Sequence, residues 1–152
     1  MTVAGANRYV KAVLWDMDGT LMNSQPIWDE SFRRRCQERG GTVTPEQVAG
    51  IAGASIARTR EIIAETGATE SPEDPATAEV FARIAADVGE AVRADPPILP
   101  GARRITSMLS EIGLAQVIVT QSPRPIVESV AHALGDVFVE LVTGDDGLPG
   151  KP

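Results

Sequence analysis

The stretch Ala12-Val13-Leu14-Trp15-Asp16-Met17-Asp18-Gly19-Thr20-Leu21 decides how the chain is read. Val10 to Trp15 is apolar apart from Lys11 and has the length and residue types of a buried β-strand. The run stops on two carboxylates spaced i, i+2 and then breaks at a glycine. Carboxylates that close together at a strand's C-terminal end repel each other and are costly to desolvate, so a bound cation would compensate them. Open α/β sheets also collect their chemistry at that edge. The arrangement suggests a nucleophilic carboxylate, a second carboxylate to move protons, and a magnesium ion. A calcium-binding loop does not fit, because it needs glycine at its sixth place and glutamate at its twelfth. Counting from Asp16, those places hold Leu21 and Ile27.

Working outward, the patterning predicts helices first and then a return to strand–helix alternation. Pro26 to Arg39 carries Ile27, Phe32 and Cys36 among charges and ends at Gly40-Gly41, an amphipathic helix with its stop signal. Thr44-Pro45-Glu46-Gln47 reads as an N-cap with proline at the first helical position. Ser55 to Thr66 is a third helix, stopped by Gly67. Val80, Phe81, Ile84, Val88 and Val92 recur at helical spacing and predict a long helix from Ala76 to Ala94. Asp95-Pro96-Pro97-Ile98-Leu99-Pro100 is a stiff return linker. Gly101 to Ile112 is then a helix, Ala115 to Thr120 a strand, Pro123 to Leu134 a helix and Val137 to Val142 a strand. That alternation implies a parallel sheet with right-handed crossovers. No repeat or low-complexity tract interrupts it.

Several of these segments, in this order, resemble the motifs of the haloacid dehalogenase superfamily of phosphotransferases. Asp16-Met17-Asp18-Gly19-Thr20 matches the family's first motif, D-x-D-G-T, and Leu21-Met22-Asn23-Ser24-Gln25-Pro26 looks like the entry to its helical cap. The likeness resumes at Ile98-Leu99-Pro100-Gly101, at Val117-Ile118-Val119-Thr120-Gln121-Ser122 and at Gly150-Lys151-Pro152. It is closest to the first subfamily, which holds phosphatases and β-phosphoglucomutase-like enzymes. The resemblance implies an α/β fold: a Rossmann-like parallel sheet core with three strands present, built from residues 1–23 and 96–152, and an inserted four-helix cap over residues 24–95.

The resemblance also assigns roles. Asp16 would attack phosphorus to give an aspartyl phosphate and Asp18 would serve as acid and base. Magnesium would be held by the Asp16 carboxylate and the Asp18 main-chain carbonyl. Thr120 and Gln121, after the second strand, would bind phosphate, although the family often has Asn or Ser at the second place. Lys151 would neutralise charge between nucleophile and phosphate, a point-charge task suited to lysine. A P-loop reading of the same lysine fails, since Asp145 stands where its first glycine belongs and no Ser or Thr follows. Asp18 argues against the dehalogenase and phosphonatase branches, which lack an acid there. Ala52-Gly53-Ala54-Ser55-Ile56 resembles the cap's specificity loop, and the absence of basic residues at Ala52 and Ile56 weakens a mutase. Arg58 and Arg60 read as solvated helix face in preference to substrate contacts, Arg33-Arg34-Arg35 as charged surface, and His132 as an ordinary helical histidine.

Composition bounds the partners. A net charge of −7 argues against nucleic-acid binding, which draws on clustered Lys and Arg. The lone Cys36 forms no internal disulfide and reads as structural, in keeping with a reducing cytoplasm. No apolar run approaches the roughly 20 residues that span a bilayer, and residues 1–7 are too short and polar for a secretory signal. The expected ligand is a small phosphorylated metabolite. The family's fourth motif, an acidic pair supplying further magnesium ligands, does not follow Lys151 in the 152 residues, so the core is expected to be incomplete and activity impaired. Three readings stay open: a phosphatase represented by part of its sequence, a non-catalytic interaction or regulatory protein, and an enzyme completed by a C-terminal fragment supplied separately. A phosphomutase is the alternative chemistry to a phosphatase.

Overall fold

The computed structural model describes residues 10–148. In chain order its elements are β1 (Ala12–Trp15), α1 (Gln25–Glu38), α2 (Pro45–Gly50), α3 (Ile56–Glu65), α4 (Pro75–Ala94), α5 (Ala102–Glu111), β2 (Ala115–Val119), α6 (Arg124–Ala133) and β3 (Glu140–Val142). Packing gathers them into two units: residues up to Asn23 with those from Val92 onward, and Ser24–Ala91. Among the described residues no helix is long and apolar enough to cross a membrane.

The first unit is the α/β part. Its three strands are parallel and lie in the order β1-β2-β3, with Trp15 opposite Ile118 and Ile118 opposite Leu141. A polar residue inside an apolar strand sets this pairing. Gln116 is fully buried, accepts a hydrogen bond from Trp15 Nε1 at 3.0 Å and donates one to the Thr106 carbonyl of α5 at 2.8 Å. An unsatisfied buried amide costs about 1–3 kcal/mol, so a slipped register would be penalised directly. α5 packs against β2 and α6 against β3. Gln116 and Ile118 are accordingly buried, and Ile126, Val127, Val130 and Leu134 of the α6 region join the apolar interior.

Two expectations about the strands need correction. β1 begins at Ala12 rather than Val10 and is not a buried strand: Leu14 is 70% exposed, and Val10 before it 46%. Among the described residues β1 pairs on one side only, and Leu14 projects from the face opposite α5. The last strand is three residues rather than six. The chain turns at Gly135 and Asp136, both with positive φ, and Val137 and Phe138 are spent crossing from α6 to the sheet. Val139 then arrives with its N–H on the Gln116 carbonyl at 2.8 Å.

The proline-rich return segment is tied to the chain that leaves β1. Asn23 N–H donates to the Pro97 carbonyl and Leu99 N–H to the Leu21 carbonyl, each at 2.9 Å, with Met22 bridged to Ile98. The two ends of the helical insertion are thereby pinned together.

The second unit holds α1, α2, α3 and most of α4 around Phe32, Cys36, Val48, Ile62, Ile63, Val80 and Ile84, with Trp28 and Phe81 packed at the edge. Thr44 caps α2 in a reciprocal capping box with Gln47, as its sequence signature predicts. Burial pushes the Cys36 thiol up, which suits a structural cysteine. The arginine run is not simply charged surface. Arg35 donates to both oxygens of Asp87 at 2.8 and 2.6 Å, Arg34 pairs with the same carboxylate at 2.7 Å, and the Ser31 hydroxyl adds a further bond. These contacts clamp α1 to α4, because Asp87 is largely shielded, with 16% of its side chain exposed.

The Arg35 guanidinium and its neighbours hold the Asp87 carboxyl far below the usual carboxylate range. Its stabilising contribution is therefore full above an unfolded carboxylate value of about 3.9 and fades as pH falls below it. The expected outcome is that Asp87→Asn lowers the urea midpoint at pH 7 and flattens its decline between about pH 5 and about pH 2. An unchanged slope in urea titrations followed by circular dichroism would remove this pair from the account.

Candidate active site

The C-terminal ends of β1 and β2 lie side by side, and the residues singled out in the sequence follow them directly. Asp16 is the first residue after β1, and Thr120 the first after β2. The register Trp15 opposite Ile118 sets both at one edge of the sheet. Beyond Asp16 the chain folds back on itself around the buried Met17, whose carbonyl accepts N–H bonds from Thr20, Leu21 and Met22 at 3.2, 2.8 and 3.2 Å. That reversal requires the left-handed Gly19, at φ +81°. The Thr20 hydroxyl donates to Asp16 Oδ2 at 3.1 Å, and Asp16 is exposed while Asp18 is half-buried.

Asp18 faces the loop after β2. The Ser122 hydroxyl donates to Asp18 Oδ2 at 2.7 Å, and the Thr120 hydroxyl reaches the same oxygen at 3.3 Å. Thr120 is held by its N–H on the Val142 carbonyl at 2.9 Å, and its Oγ1 accepts the Ser122 N–H at 3.2 Å. Asp18, Thr120 and Ser122 therefore form one hydrogen-bonded group. Gln121 between them is exposed, and its main-chain carbonyl packs against Gly144 so closely that a Cβ at Gly144 would collide with it. Lys151 lies outside the described residues.

The start of α6 offers few open backbone N–H groups. The Arg124 N–H donates to the Asp145 carboxylate at 2.7 Å, and the next position is Pro125, which has none to offer. Asp146 takes the Arg124 guanidinium at 2.6 Å and the Thr143 N–H at 2.7 Å, and these two bonds, the backbone one foremost, hold its carboxyl below the usual range. Asp145 and Asp146 thus fasten the loop after β3 to the start of α6, a task their sequence gives no hint of. The long-range partner is invisible in the sequence.

Ser122 is the principal residue that sequence reasoning did not weigh on its own. Its signal is its place two residues past Thr120, immediately before Pro123, which caps α6. Among the described residues no group of three or more His, Cys, Asp or Glu comes together as a metal site. The Asp16 carboxylate and the Asp18 carbonyl are hard oxygen donors of the kind magnesium takes, and one or two carboxylates suffice when phosphate oxygens and waters complete the octahedron. The group therefore presents a paired-acid edge with hydroxyl donors, suited to a phosphate ester and a divalent ion.

Comparison with known proteins agrees with this architecture. The chain is 27% identical over 149 residues to hexitol phosphatase B of Escherichia coli K12, covering 95% of this chain and 65% of the relative. It is 26% identical over 142 residues to phosphoglycolate phosphatase of Rhodobacter capsulatus, covering 92% of this chain and 64% of the relative. A β-phosphoglucomutase crystal structure from Clostridium difficile superposes with a TM-score of 0.74 at 15% identity, over 94% of this chain and 66% of the other, a likeness of fold. The chain spans just under two thirds of the length of the curated relatives it matches. The family model of haloacid dehalogenase-like hydrolases matches residues 10–152, and the chain belongs to that family.

Proposed function

We propose that the chain carries the nucleophile and acid/base of a phosphomonoesterase acting on a small phosphorylated metabolite. The observation that supports this most is the bond between Asp18 and the Thr120–Ser122 loop, one step along the sheet edge from Asp16. An Asp16 oxygen attacks phosphorus while the ester P–O bond breaks, and Asp18 gives its proton to the departing alcohol oxygen. Water then attacks the aspartyl phosphate, Asp18 takes the water's proton, and the P–O bond to Asp16 breaks. Inorganic phosphate leaves and both carboxyls return to their starting states.

In this reading Thr120 and Gln121 receive phosphoryl oxygens, and Lys151, by its family motif, balances their charge. Magnesium would be held by the Asp16 carboxylate and the Asp18 carbonyl. When bound, it neutralises charge on the phosphoryl group. Residues 24–95 would act as the cap domain. Ala52 and Ile56, both exposed beside the turn at Gly53, favour a phosphatase over a sugar-phosphate mutase, since neither is basic. The relatives named for hexitol and phosphoglycolate phosphatases support a small phosphorylated substrate.

The test is phosphate release from a panel of small phosphomonoesters. Release should need magnesium and stop on chelation, and Asp16→Asn should reduce it by at least about 10³-fold. Unchanged turnover in that variant would remove Asp16 as nucleophile. A second reading, an activity completed by a further polypeptide segment, is supported by the edge of β1 that is unpaired among the described residues and by the exposure of Leu14. It expects low turnover by the chain alone and a rise when the C-terminal third of a homologous phosphatase is co-expressed. Leu14→Lys should block that rise, and a rise that survives Leu14→Lys would place the complementation elsewhere.

A further inference from the structure

Ser122 is joined to all three loops at the sheet edge. It is 8% exposed, its hydroxyl donates to Asp18 Oδ2 at 2.7 Å, its N–H donates to Thr120 Oγ1 at 3.2 Å, and its carbonyl accepts the Gly144 N–H at 3.1 Å. The main chain of this residue is thus held on both sides, by the loop after β2 and by the loop after β3. Thr120 makes a second bond to the same Asp18 oxygen, at 3.3 Å. Ordinary O–H···O bonds run from about 2.5 to 3.0 Å, so the Ser122 bond is the strong one and the Thr120 bond the weak one.

A hydroxyl has one proton to donate. If Thr120 gives its proton to a phosphoryl oxygen, as the phosphomonoesterase reading requires, it must let go of Asp18. Ser122 keeps its grip, because nothing in that reading asks its hydroxyl to move. We propose that Ser122 is the positioning residue for Asp18: it commits Oδ2 to the loop after β2 and so fixes the rotation of the carboxyl group that exchanges protons with the leaving oxygen. Ser122 touches no reacting atom and acts only through Asp18. The proposal rests on the assignment of Asp18 as acid/base and adds a residue that the assignment itself does not include.

A change in Asp18 orientation must show most where the leaving group needs a proton. p-Nitrophenyl phosphate expels a stable phenolate, whereas glycerol phosphate expels an alkoxide that depends on the acid. General acid catalysis is worth about 10²–10⁴-fold, and a misdirected acid forfeits part of it. Ser122→Ala should therefore lower kcat/KM for glycerol phosphate by about 10–100-fold and for p-nitrophenyl phosphate only a few-fold, with Ser122→Thr restoring most of the loss. Equal losses on both esters would mark Ser122 as a purely structural residue and overturn the proposal. Crystal structures of the parent chain, Ser122→Ala and Ser122→Thr provide a reading that does not need turnover. Asp18 should rotate in the alanine variant and return in the threonine variant, and an Asp18 side chain unmoved in Ser122→Ala would sink the idea. Failure of the parent chain to release phosphate from either ester would count against the phosphomonoesterase reading alone, and the crystal structures would still decide the role of Ser122.

Discussion

The parallel pairing of β1 with β2 is the constraint on which the site depends. Asp16 and Asp18 come from one end of the chain and Thr120 and Ser122 from about a hundred residues later, so only the register of these two strands brings them together. Register in a parallel pair is weakly specified by backbone bonds alone, since these repeat evenly along the ladder. The side chains supply the choice. Gln116 joins Trp15 on β1 to the Thr106 carbonyl on α5, and its complete burial makes any slip leave a buried amide unpaired. A residue step in either direction would also carry the aspartates away from the hydroxyls that hold Asp18.

The positions that are legible in the sequence are those where local chemistry decides. The D-x-D-G-T segment, the threonine closing the second strand, the capping box at Thr44 and the stripe of Val80, Ile84 and Val88 all announce themselves within a few residues. Positions decided by distant partners are silent. Arg35 reads as one of three surface arginines until α4 brings Asp87 against it. Asp145 and Asp146 occupy the N–H and guanidinium of Arg124, some twenty residues upstream, and so limit what the start of α6 can offer an anion. The apolar run of β1 signals burial, but burial belongs to the sheet as a whole. With its side chain on the face opposite α5 and, among the described residues, a paired strand on one side only, Leu14 stays exposed.

The loops at the sheet edge form a connected frame rather than three separate turns. Ser122 bonds to Asp18 and accepts from Gly144, Gln121 packs on Gly144, and Asp145 holds the first residue of α6. Gly144 is required for space, since a Cβ there would run into main chain that cannot yield. Such a frame keeps hydroxyl donors in place without drawing on the ordering of each loop by itself, which is the condition for a preorganised site.

The same frame reaches the roots of the helical insertion. Met22 is bridged to Asp18 on one side and to Ile98 on the other, and the N–H groups of Asn23 and Leu99 donate to the carbonyls of Pro97 and Leu21. A domain-sized insertion costs a fold little when its two ends emerge close together, because the parent chain then closes over a short gap. Here the gap is closed by backbone hydrogen bonds beside a half-buried carboxylate. The place where the chain departs for the insertion and the place where it handles Asp18 are thus the same few residues, and the fold could not lose one without disturbing the other.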